Sequence, residues 1–257
     1  MEKYDCIMVG TGEIGMPLFE LMNGVFKTLP INRSTFKQNA EIEAKCDFLH
    51  VAIHGELPNF VPVVVDYFDR YQPKFIFIHS TVIPGTTDEI NVRIGKDAAI
   101  HCPVHGKHQG NCMKRDMLRY PKYLGVPESL NEENVKLAKA HMSRMGFTTV
   151  VAFLKTRTTE WAKLLATTIF GLQIAFAQEV ERICDEQDLD YSELTHFFPI
   201  QQDARGPIFP GFIGGHCVMP NIKILQGVYE CDLWDWMEES NEKKRERDDV
   251  VVDKRGR

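Results

Sequence analysis

The sequence lacks several features that mark membrane, secreted or nucleic-acid-binding proteins. No apolar run approaches the roughly 18 residues that a membrane-spanning helix requires, and the first residues do not form the charged-then-apolar pattern of a secretory signal. Basic residues are not in excess, because 30 Lys and Arg stand against 36 Asp and Glu. We therefore expect a cytoplasmic protein whose partners include neither nucleic acid nor a membrane.

Cysteine pairs with the CxxC spacing are also absent. The seven cysteines are an odd number, which in a chain without a secretory signal predicts reduced thiols instead of disulfides. One stretch does contain side chains of the types that bind zinc, and these are His101, His105, His108 and Cys112. Because no CxxC pair or helical HxxxH pattern accompanies them, we predict no metal site.

What is present is an alternation of short apolar strands and helix-length segments over the first 150 residues. The helical segments include Phe60–Tyr71 and Glu132–Met145, and this alternation predicts a parallel sheet covered on both faces. From Thr158 to Asp188 the chain has no proline and one glycine, and its apolar residues recur at helical spacing, which predicts one long helix.

The predicted fold class is therefore α/β, with an N-terminal Rossmann dinucleotide-binding domain followed by an all-α domain built on the long helix. We place the first domain at residues 1–152 and the helical domain at residues 153–232. The helical domain is expected to bind substrate and to form a homodimer. Residues 233–257 are rich in charges of both signs and are predicted to be a flexible tail.

A glycine motif follows the first predicted strand and begins the first predicted helix. Its residues are Gly10, Thr11, Gly12, Glu13, Ile14 and Gly15. Gly10 permits a tight turn, Gly12 lets a pyrophosphate approach the backbone, and Gly15 allows the helix to pack closely on the strand. The exposed N–H groups and the helix dipole then attract phosphate, so the motif predicts a dinucleotide site.

The end of the second predicted strand bears on the choice of dinucleotide. Sites that bind NAD usually carry an acidic residue there, about 20 residues after the glycines, to bond the ribose 2′-hydroxyl. This sequence has Asn32, followed by Arg33 and Ser34. A neutral residue beside a guanidinium suits a 2′-phosphate, so we expect NADP or NAD with NADP preferred.

Two further loops contain chemically useful residues. In the segment His79–Thr87, after another predicted strand, Thr81 can hold a substrate or a water, or the hydroxyls can cap the next helix. In the segment Gly211–Pro220, paired glycines precede Cys217, whose thiolate is a strong nucleophile when a cation lowers its pKa. A buried structural cysteine is the alternative interpretation on spacing alone.

These segments occur in an order that resembles the UDP-glucose/GDP-mannose dehydrogenase family. The resemblance covers residues 5 to about 228, and it rests on Gly10–Gly15, His79–Thr87, Glu160–Lys163 and Gly214–Cys217. It implies an NAD(P)-dependent oxidoreductase that oxidises the hydroxyl of a sugar or nucleotide sugar. It also implies a shortened form, since no segment corresponds to the C-terminal nucleotide-sugar domain of the family.

The resemblance implies roles for individual residues. Cys217 would be the nucleophile that captures an aldehyde, Lys163 would stabilise the oxyanion, and Thr81 would help to position a water. The residues expected at the substrate are Arg205, Gly214, Gly215, Thr167 and Asn221.

At four positions this sequence departs from the family pattern. Val104 and His108 stand where the family has acidic residues, Thr167 replaces an asparagine, and Asn221 replaces an aspartate. An unperturbed imidazole titrates near neutral pH, so His105 or His108 can take the place of the missing carboxylate as general base.

Two alternatives remain open. The segment Cys102–Gly106 resembles the Pro-Val-Ser-Gly loop of β-hydroxyacid dehydrogenases, which also use a helix lysine but need no cysteine. The other alternative is a catalytically impaired relative that binds a nucleotide and acts as a partner protein. The missing acidic residues favour this second alternative, whereas Lys163 and Cys217 favour an enzyme.

Overall fold

The computed structural model describes residues 2–32, 42–106, 113–196, 210–216, 218–228 and 232–255. Several residues that the sequence analysis singled out lie outside these ranges. They are Arg33, Ser34, His108, Cys112, Arg205 and Cys217.

Within the described residues, seven strands form one sheet in the order β2-β1-β3-β4-β5-β6-β7. The strands are β1 (Glu2–Val9), β2 (Thr28–Ile31), β3 (Ala44–Val51), β4 (Phe75–Ile78), β5 (Ala99–His101), β6 (Lys122–Val126) and β7 (Val150–Leu154). The first five strands are parallel to one another, and so are β6 and β7, but β6 pairs antiparallel with β5. The sheet confirms the predicted α/β class, while the reversal at β6 departs from the predicted parallel pattern.

The helices of the described residues alternate with the strands and then follow them. They are α1 (Gly15–Asn23), α2 (Phe60–Tyr71), α3 (Thr86–Ile94), α4 (Met113–Arg119), α5 (Glu132–Arg144), α6 (Thr156–Gln187), α7 (Tyr191–Thr195), α8 (Val218–Val228) and α9 (Asp232–Arg255). The helix predicted at Phe60–Tyr71 is confirmed at both ends, and the long predicted helix corresponds to α6.

Both faces of the sheet are buried. Successive side chains of a strand point to opposite sides, so each strand contributes to both faces. On β1, Cys6 and Met8 belong to one hydrophobic cluster, whereas Ile7 and Val9 belong to another. All four residues of β4 are buried. This is the pattern expected of a parallel sheet with helices on each side, and it explains why the strands read as continuous apolar runs.

Backbone packing divides the chain into two compact units, Met1–Lys163 and Leu164–Arg257. Helix α6 begins in the first unit and continues into the second. The sequence analysis places the boundary after residue 152, whereas this division falls after Lys163. The difference arises because the first two turns of α6 are bonded to loops of the sheet, as described below.

In the second unit, α6 packs closely on α8 and α9. A Cβ on Gly171 of α6 would collide with the side chain of Val218 and would lie 2.8 Å from Met237 Cε, so only a glycine permits this approach. None of the described helices combines the length and apolarity that crossing a membrane requires.

The charged segment that the sequence favours as a flexible tail forms helix α9 in the structure. Trp234 and Met237 are buried on one side of this helix, as is Ser240. The Lys244 ammonium is also buried and pairs with Glu181 of α6 at 3.0 Å. The buried residues recur every three or four positions, but charged residues between them hide that period in the average composition.

Candidate functional site

The turn after β1 has the geometry that its glycines predict. Gly10 has a φ of +88°, and a Cβ at this position would collide with the carbonyl of Ala52, in the loop after β3. A Cβ on Gly15 would collide with the carbonyl of Gly10. Neither position therefore accepts a larger residue without movement of the backbone.

Gly12 differs from its neighbours because the space beside it is open. A Cβ at Gly12 would have no heavy atom of the described residues within 4 Å. Helix α1 begins immediately afterwards, and its N-cap residue is Ile14, which has no side-chain oxygen to accept bonds from the first N–H groups. Open space beside a helix N-terminus is what an approaching phosphate requires.

Three loops meet at this turn, at the carboxyl edge of the sheet. Gly10 N donates to Ile31 O at 2.7 Å, and Ala52 N donates to Val9 O at 2.8 Å. Asn32 directly follows β2 and therefore lies beside the glycine turn. In this class of fold the residue at the end of the second strand faces the ribose of a dinucleotide.

The loop after β4 is held against the loop after β3. A Cβ on Gly55 would collide with the carbonyl of Thr81, and Ser80 Oγ donates to Ile53 O at 2.6 Å. Thr81 is thereby placed at the same carboxyl edge as the glycine turn. Gly55 is a positioning residue that the sequence analysis missed, since an isolated glycine in a loop carries no distinctive pattern.

The loop after Thr81 leads into α3, whose first N–H groups are bonded by a side chain of α6. Glu160 Oε2 accepts from Gly85 N at 2.6 Å, and Oε1 accepts from Thr87 N at 2.9 Å and from Thr87 Oγ1 at 2.6 Å. The Glu160 carboxyl thus caps α3 from another element. Burial raises the pKa of Glu160, and these hydrogen bonds oppose that rise. The Thr87 hydroxyl does not cap the helix as the sequence analysis considered, because it donates to the Glu160 carboxyl that forms the cap.

A buried histidine ties α6 to the sheet. His101 Nε2 lies 3.2 Å from Ser80 O, and its Nδ1 lies 2.8 Å from Thr159 Oγ1. Because a carbonyl can only accept, Nε2 carries the proton and Nδ1 accepts from the hydroxyl. Burial lowers the pKa of His101 to about 3, so the ring is neutral. Both ring nitrogens of His101 are thus engaged in hydrogen bonds within the core.

Lys163 lies one turn after Thr159, on the same side of α6. Its ammonium donates to the carbonyl of Val104 at 3.0 Å, in the loop that follows β5. The next residue is His105, whose ring stands edge-on to Tyr123 at 5.9 Å between centroids. The structure therefore brings two predicted catalytic residues, Lys163 and His105, to one loop at the carboxyl edge of the sheet.

The second unit brings together two other predicted residues. Asn221 Nδ2 donates to Thr167 Oγ1, and that hydroxyl donates to Leu164 O at 2.9 Å. The resemblance drawn in the sequence analysis implies an aspartate and an asparagine at these two positions. The sequence analysis named both residues but contained no signal that they touch.

The glycine loop of residues 210–216 is held in place by two buried side chains. Ile213 N donates to Asn241 Oδ1 at 2.6 Å, and Asn241 Nδ2 donates to Ile213 O at 3.1 Å. Gln178 Nε2 donates to Gly211 O at 2.5 Å. Gly215 has a φ of +82°, which favours glycine. Sequence reasoning missed Asn241 and Gln178, which are polar residues on helices with many other polar residues.

The fold is a Rossmann-like α/β unit followed by a helical unit. Residues 157–243 match the model of the UDP-glucose/GDP-mannose dehydrogenase family, central domain. This match confirms the resemblance indicated by the sequence motifs.

Similar proteins agree with this relationship. A UDP-N-acetyl-D-mannosamine dehydrogenase of Methanocaldococcus jannaschii is 28% identical over 184 residues, which are 68% of this chain and 39% of that protein. The chain thus matches about two fifths of the length of this curated relative.

Solved structures share the fold. The structure of a UDP-D-ManNAc dehydrogenase from Pyrococcus horikoshii superposes with a TM-score of 0.73 at 15% identity, covering 93% of this chain and 68% of that one. A 3-hydroxyisobutyrate dehydrogenase of Mycobacterium tuberculosis superposes with a TM-score of 0.64 at 12% identity, covering 96% of this chain and 93% of that one.

Proposed function

We propose that this protein is an NAD(P)-dependent oxidoreductase that oxidises the hydroxyl of a nucleotide sugar. The observation that carries the proposal is the placement of Lys163 at the same sheet edge as the glycine turn. The family model supports the reaction class. The name of the curated relative makes UDP-N-acetyl-D-mannosamine the first substrate to assay.

The residues around the glycine turn fit a dinucleotide. Gly10 and Gly15 keep the turn tight, and Gly12 leaves open space where a larger residue would place its Cβ. The turn residues Thr11, Glu13 and Ile14 supply the backbone from which α1 begins. When bound, the nicotinamide cofactor accepts a hydride from the carbinol carbon of the substrate.

The roles of the catalytic residues follow from their chemistry. His105 or His108 takes the hydroxyl proton, and the Lys163 ammonium stabilises negative charge on the reacting oxygen. Cys217 adds to the aldehyde carbon and holds it as a thiohemiacetal, and a water placed by Thr81 hydrolyses the acyl group after a second oxidation. We assign Arg205, Gly214, Gly215, Thr167 and Asn221 to the substrate.

For the cofactor we propose NADP over NAD, because Asn32 is neutral and Arg33 can bind a 2′-phosphate in a forked geometry. Arg33→Ala should then raise the Kd for NADP much more than that for NAD, measured by titration of intrinsic fluorescence. Equal effects on the two cofactors would remove the 2′-phosphate assignment.

The exposed side of α6 supports a homodimer. Leu165, Ile169 and Phe176 are separated by four and seven positions and so share one helix face, and the side chains of Ile169 and Phe176 are 60% and 56% exposed. A second copy of the chain would cover this apolar face.

The central experiment compares glycine variants for cofactor binding. A methyl group on Gly12 enters open space, so Gly12→Ala should fold with unchanged stability but bind NADP at least tenfold more weakly. Gly227→Ala is the matched control, because its Cβ also meets no described atom within 4 Å. Normal NADP binding by Gly12→Ala would exclude the glycine turn as the cofactor site.

Turnover of UDP-N-acetyl-D-mannosamine, followed through the absorbance of the reduced cofactor, tests the chemistry. Lys163→Met should lower kcat by about 10² to 10³, as expected when a group that stabilises an oxyanion is lost. Cys217→Ser should stop carboxylate formation. If Cys217→Ser keeps normal turnover while Lys163→Met loses it, the result would instead support a β-hydroxyacid dehydrogenase. Cofactor binding with no turnover of any hydroxyl substrate would support the partner-protein alternative.

A further inference from the structure

A cluster of metal-ligating side chains lies inside the core of the first unit. One donor atom from each of Cys6, His50 and His141 lies within 4.8 Å of the others. Cys6 and His50 are fully buried, on neighbouring strands β1 and β3, and His141 is 2% exposed on α5. The proposed function uses none of these three residues.

Hydrogen-bond contacts link the histidines into one buried row. His79 Nδ1 lies 3.0 Å from Cys102 O and 3.3 Å from Lys122 Nζ, and its Nε2 lies 2.9 Å from His50 Nδ1. The tautomer in which His50 Nδ1 donates to His79 directs the His50 Nε2 lone pair at His141. An imidazole whose second nitrogen donates to a fixed acceptor is the usual arrangement of a metal ligand.

The other end of this chain is not satisfied by hydrogen bonds. In that tautomer, His141 Nε2 is the donor to His50 Nε2, and the two atoms lie 2.9 Å apart. Its Nδ1 is then an acceptor, and it has no partner among the residues that the structure describes. The rings of Phe26, Phe48 and Phe77 pack around His141, with centroid distances of 4.8, 3.9 and 5.3 Å. Moving the ring proton to Nδ1 therefore breaks no hydrogen bond at that nitrogen.

The surroundings of the cluster determine which cation it can hold. Aromatic rings enclose the cluster. The cluster offers three protein ligands, whereas structural zinc takes four. Thiolate sulfur favours soft cations such as Cu(I). Positive charge is already near, since Lys122 Nζ lies 3.3 Å from His79 Nδ1 and the Arg144 guanidinium lies 4.3 Å from the Phe26 ring centre. A thiolate with a monovalent cation adds no net charge to the core.

We propose that Cys6, His50 and His141 form a three-coordinate site for a monovalent thiophilic cation, Cu(I), with His79 as a positioning residue. Binding releases the Cys6 thiol proton to solvent and forms a Cu–S bond. The proton that His141 shares with His50 moves to His141 Nδ1, and both Nε2 atoms then bind the cation. The metal keeps its oxidation state throughout.

The experiment uses the full chain with Cys112, Cys217 and Cys231 changed to serine, which removes competing thiols outside the described residues. Cu(I), supplied as its acetonitrile complex under argon, is titrated against a chromogenic Cu(I) chelator. We expect one equivalent to be retained and X-ray absorption to show one sulfur and two nitrogen ligands. Zn²⁺ under the same conditions should bind more weakly.

Variants locate the site. In this parent, Cys6→Ser and His141→Phe should each weaken Cu(I) binding by about 100-fold or more, and the second keeps an aromatic ring in its aromatic surroundings. His79→Gln should weaken binding by about 10- to 100-fold, as expected for a residue that orients a ligand. Cys46→Ser is the matched control, because Cys46 is a buried thiol in the opposite hydrophobic cluster and should leave binding unchanged.

Three results would overturn the proposal. Retention of Cu(I) by Cys6→Ser or His141→Phe at parental affinity would place the metal elsewhere. Tighter binding of Zn²⁺ than of Cu(I) would reject a monovalent site. A parent protein that folds normally, shown by its circular dichroism, but retains no Cu(I) would reject the site altogether.

Discussion

Lys122 offers a quantitative test of the electrostatics of the first unit. The side chain is fully buried on β6, and its ammonium donates to Cys102 O at 2.7 Å and to Pro103 O at 3.0 Å. Among the described residues, no carboxylate lies within ion-pair distance of it. Burial lowers the pKa of Lys122 from 10.5 to about 8, because removing the charge from water is not offset by a counter-charge.

The size of the effect follows from that pKa. A tenfold change in an equilibrium constant is about 1.4 kcal/mol, so the fall from 10.5 to about 8 destabilises the folded state by roughly 3 kcal/mol below pH 8. Between about pH 8 and 10.5 the folded protein has lost this proton while the unfolded chain retains it. Raising the pH therefore favours the folded state, and the penalty disappears above pH 10.5.

The test compares the wild type with Lys122→Met by urea unfolding at several pH values. The difference in unfolding free energy, wild type minus variant, should rise by about 2 kcal/mol between about pH 7.5 and about pH 10. Other groups titrate in this range, but they are common to both proteins and cancel in the difference. Lys74→Met removes an exposed lysine and is the surface control for the loss of one charge.

A flat difference for Lys122→Met would refute the reasoning, since it would mean that Lys122 keeps its proton equally in both states. A fall with rising pH would mean that an unrecognised anion stabilises the charged form. Loss of two hydrogen bonds in the variant changes the size of the difference at every pH but not its slope.

The remaining predictions concern packing, the glycine loop and assembly. Gly125→Ala should lower the unfolding free energy by about 1–3 kcal/mol in urea, because its Cβ would lie 2.8 Å from Thr156 O and would also collide with Thr159 Oγ1; unchanged stability would contradict the packing of α6 on β6. Asn241→Leu leaves the backbone groups of Ile213 unsatisfied, so limited proteolysis should cut residues 210–216 faster than in the wild type, and equal rates would show that other contacts hold the loop. Phe176→Glu should convert a homodimer to a monomer in light scattering, and a dimer that persists would place the interface elsewhere.

Much of the architecture could be predicted because the signals are local. The glycine turn combines a strand, a tight turn and a helix within a few residues, and the constraints on Gly10 and Gly15 in the structure are those that the motif predicts. Helices α2 and α6 follow from periodicity within one segment. The candidate role of Lys163 rested on its resemblance to a family motif, and the structure adds the contact with Val104.

Other features have no local signal. Asn221 and Thr167 meet across 54 positions of sequence, and His50 meets His141 across 91. The burial of Trp234 and Met237 in α9 depends on a partner helix, so its charge-rich sequence alone favours a tail. A sequence pattern records which side of its own element a residue occupies, and it does not record the other element that will cover that side. The sequence by itself therefore determined the α/β class, the long helix and the glycine turn, whereas the antiparallel pairing of β6 with β5 was not predicted. Only the tertiary structure decided which polar side chains meet, because those contacts join elements that are far apart in the chain.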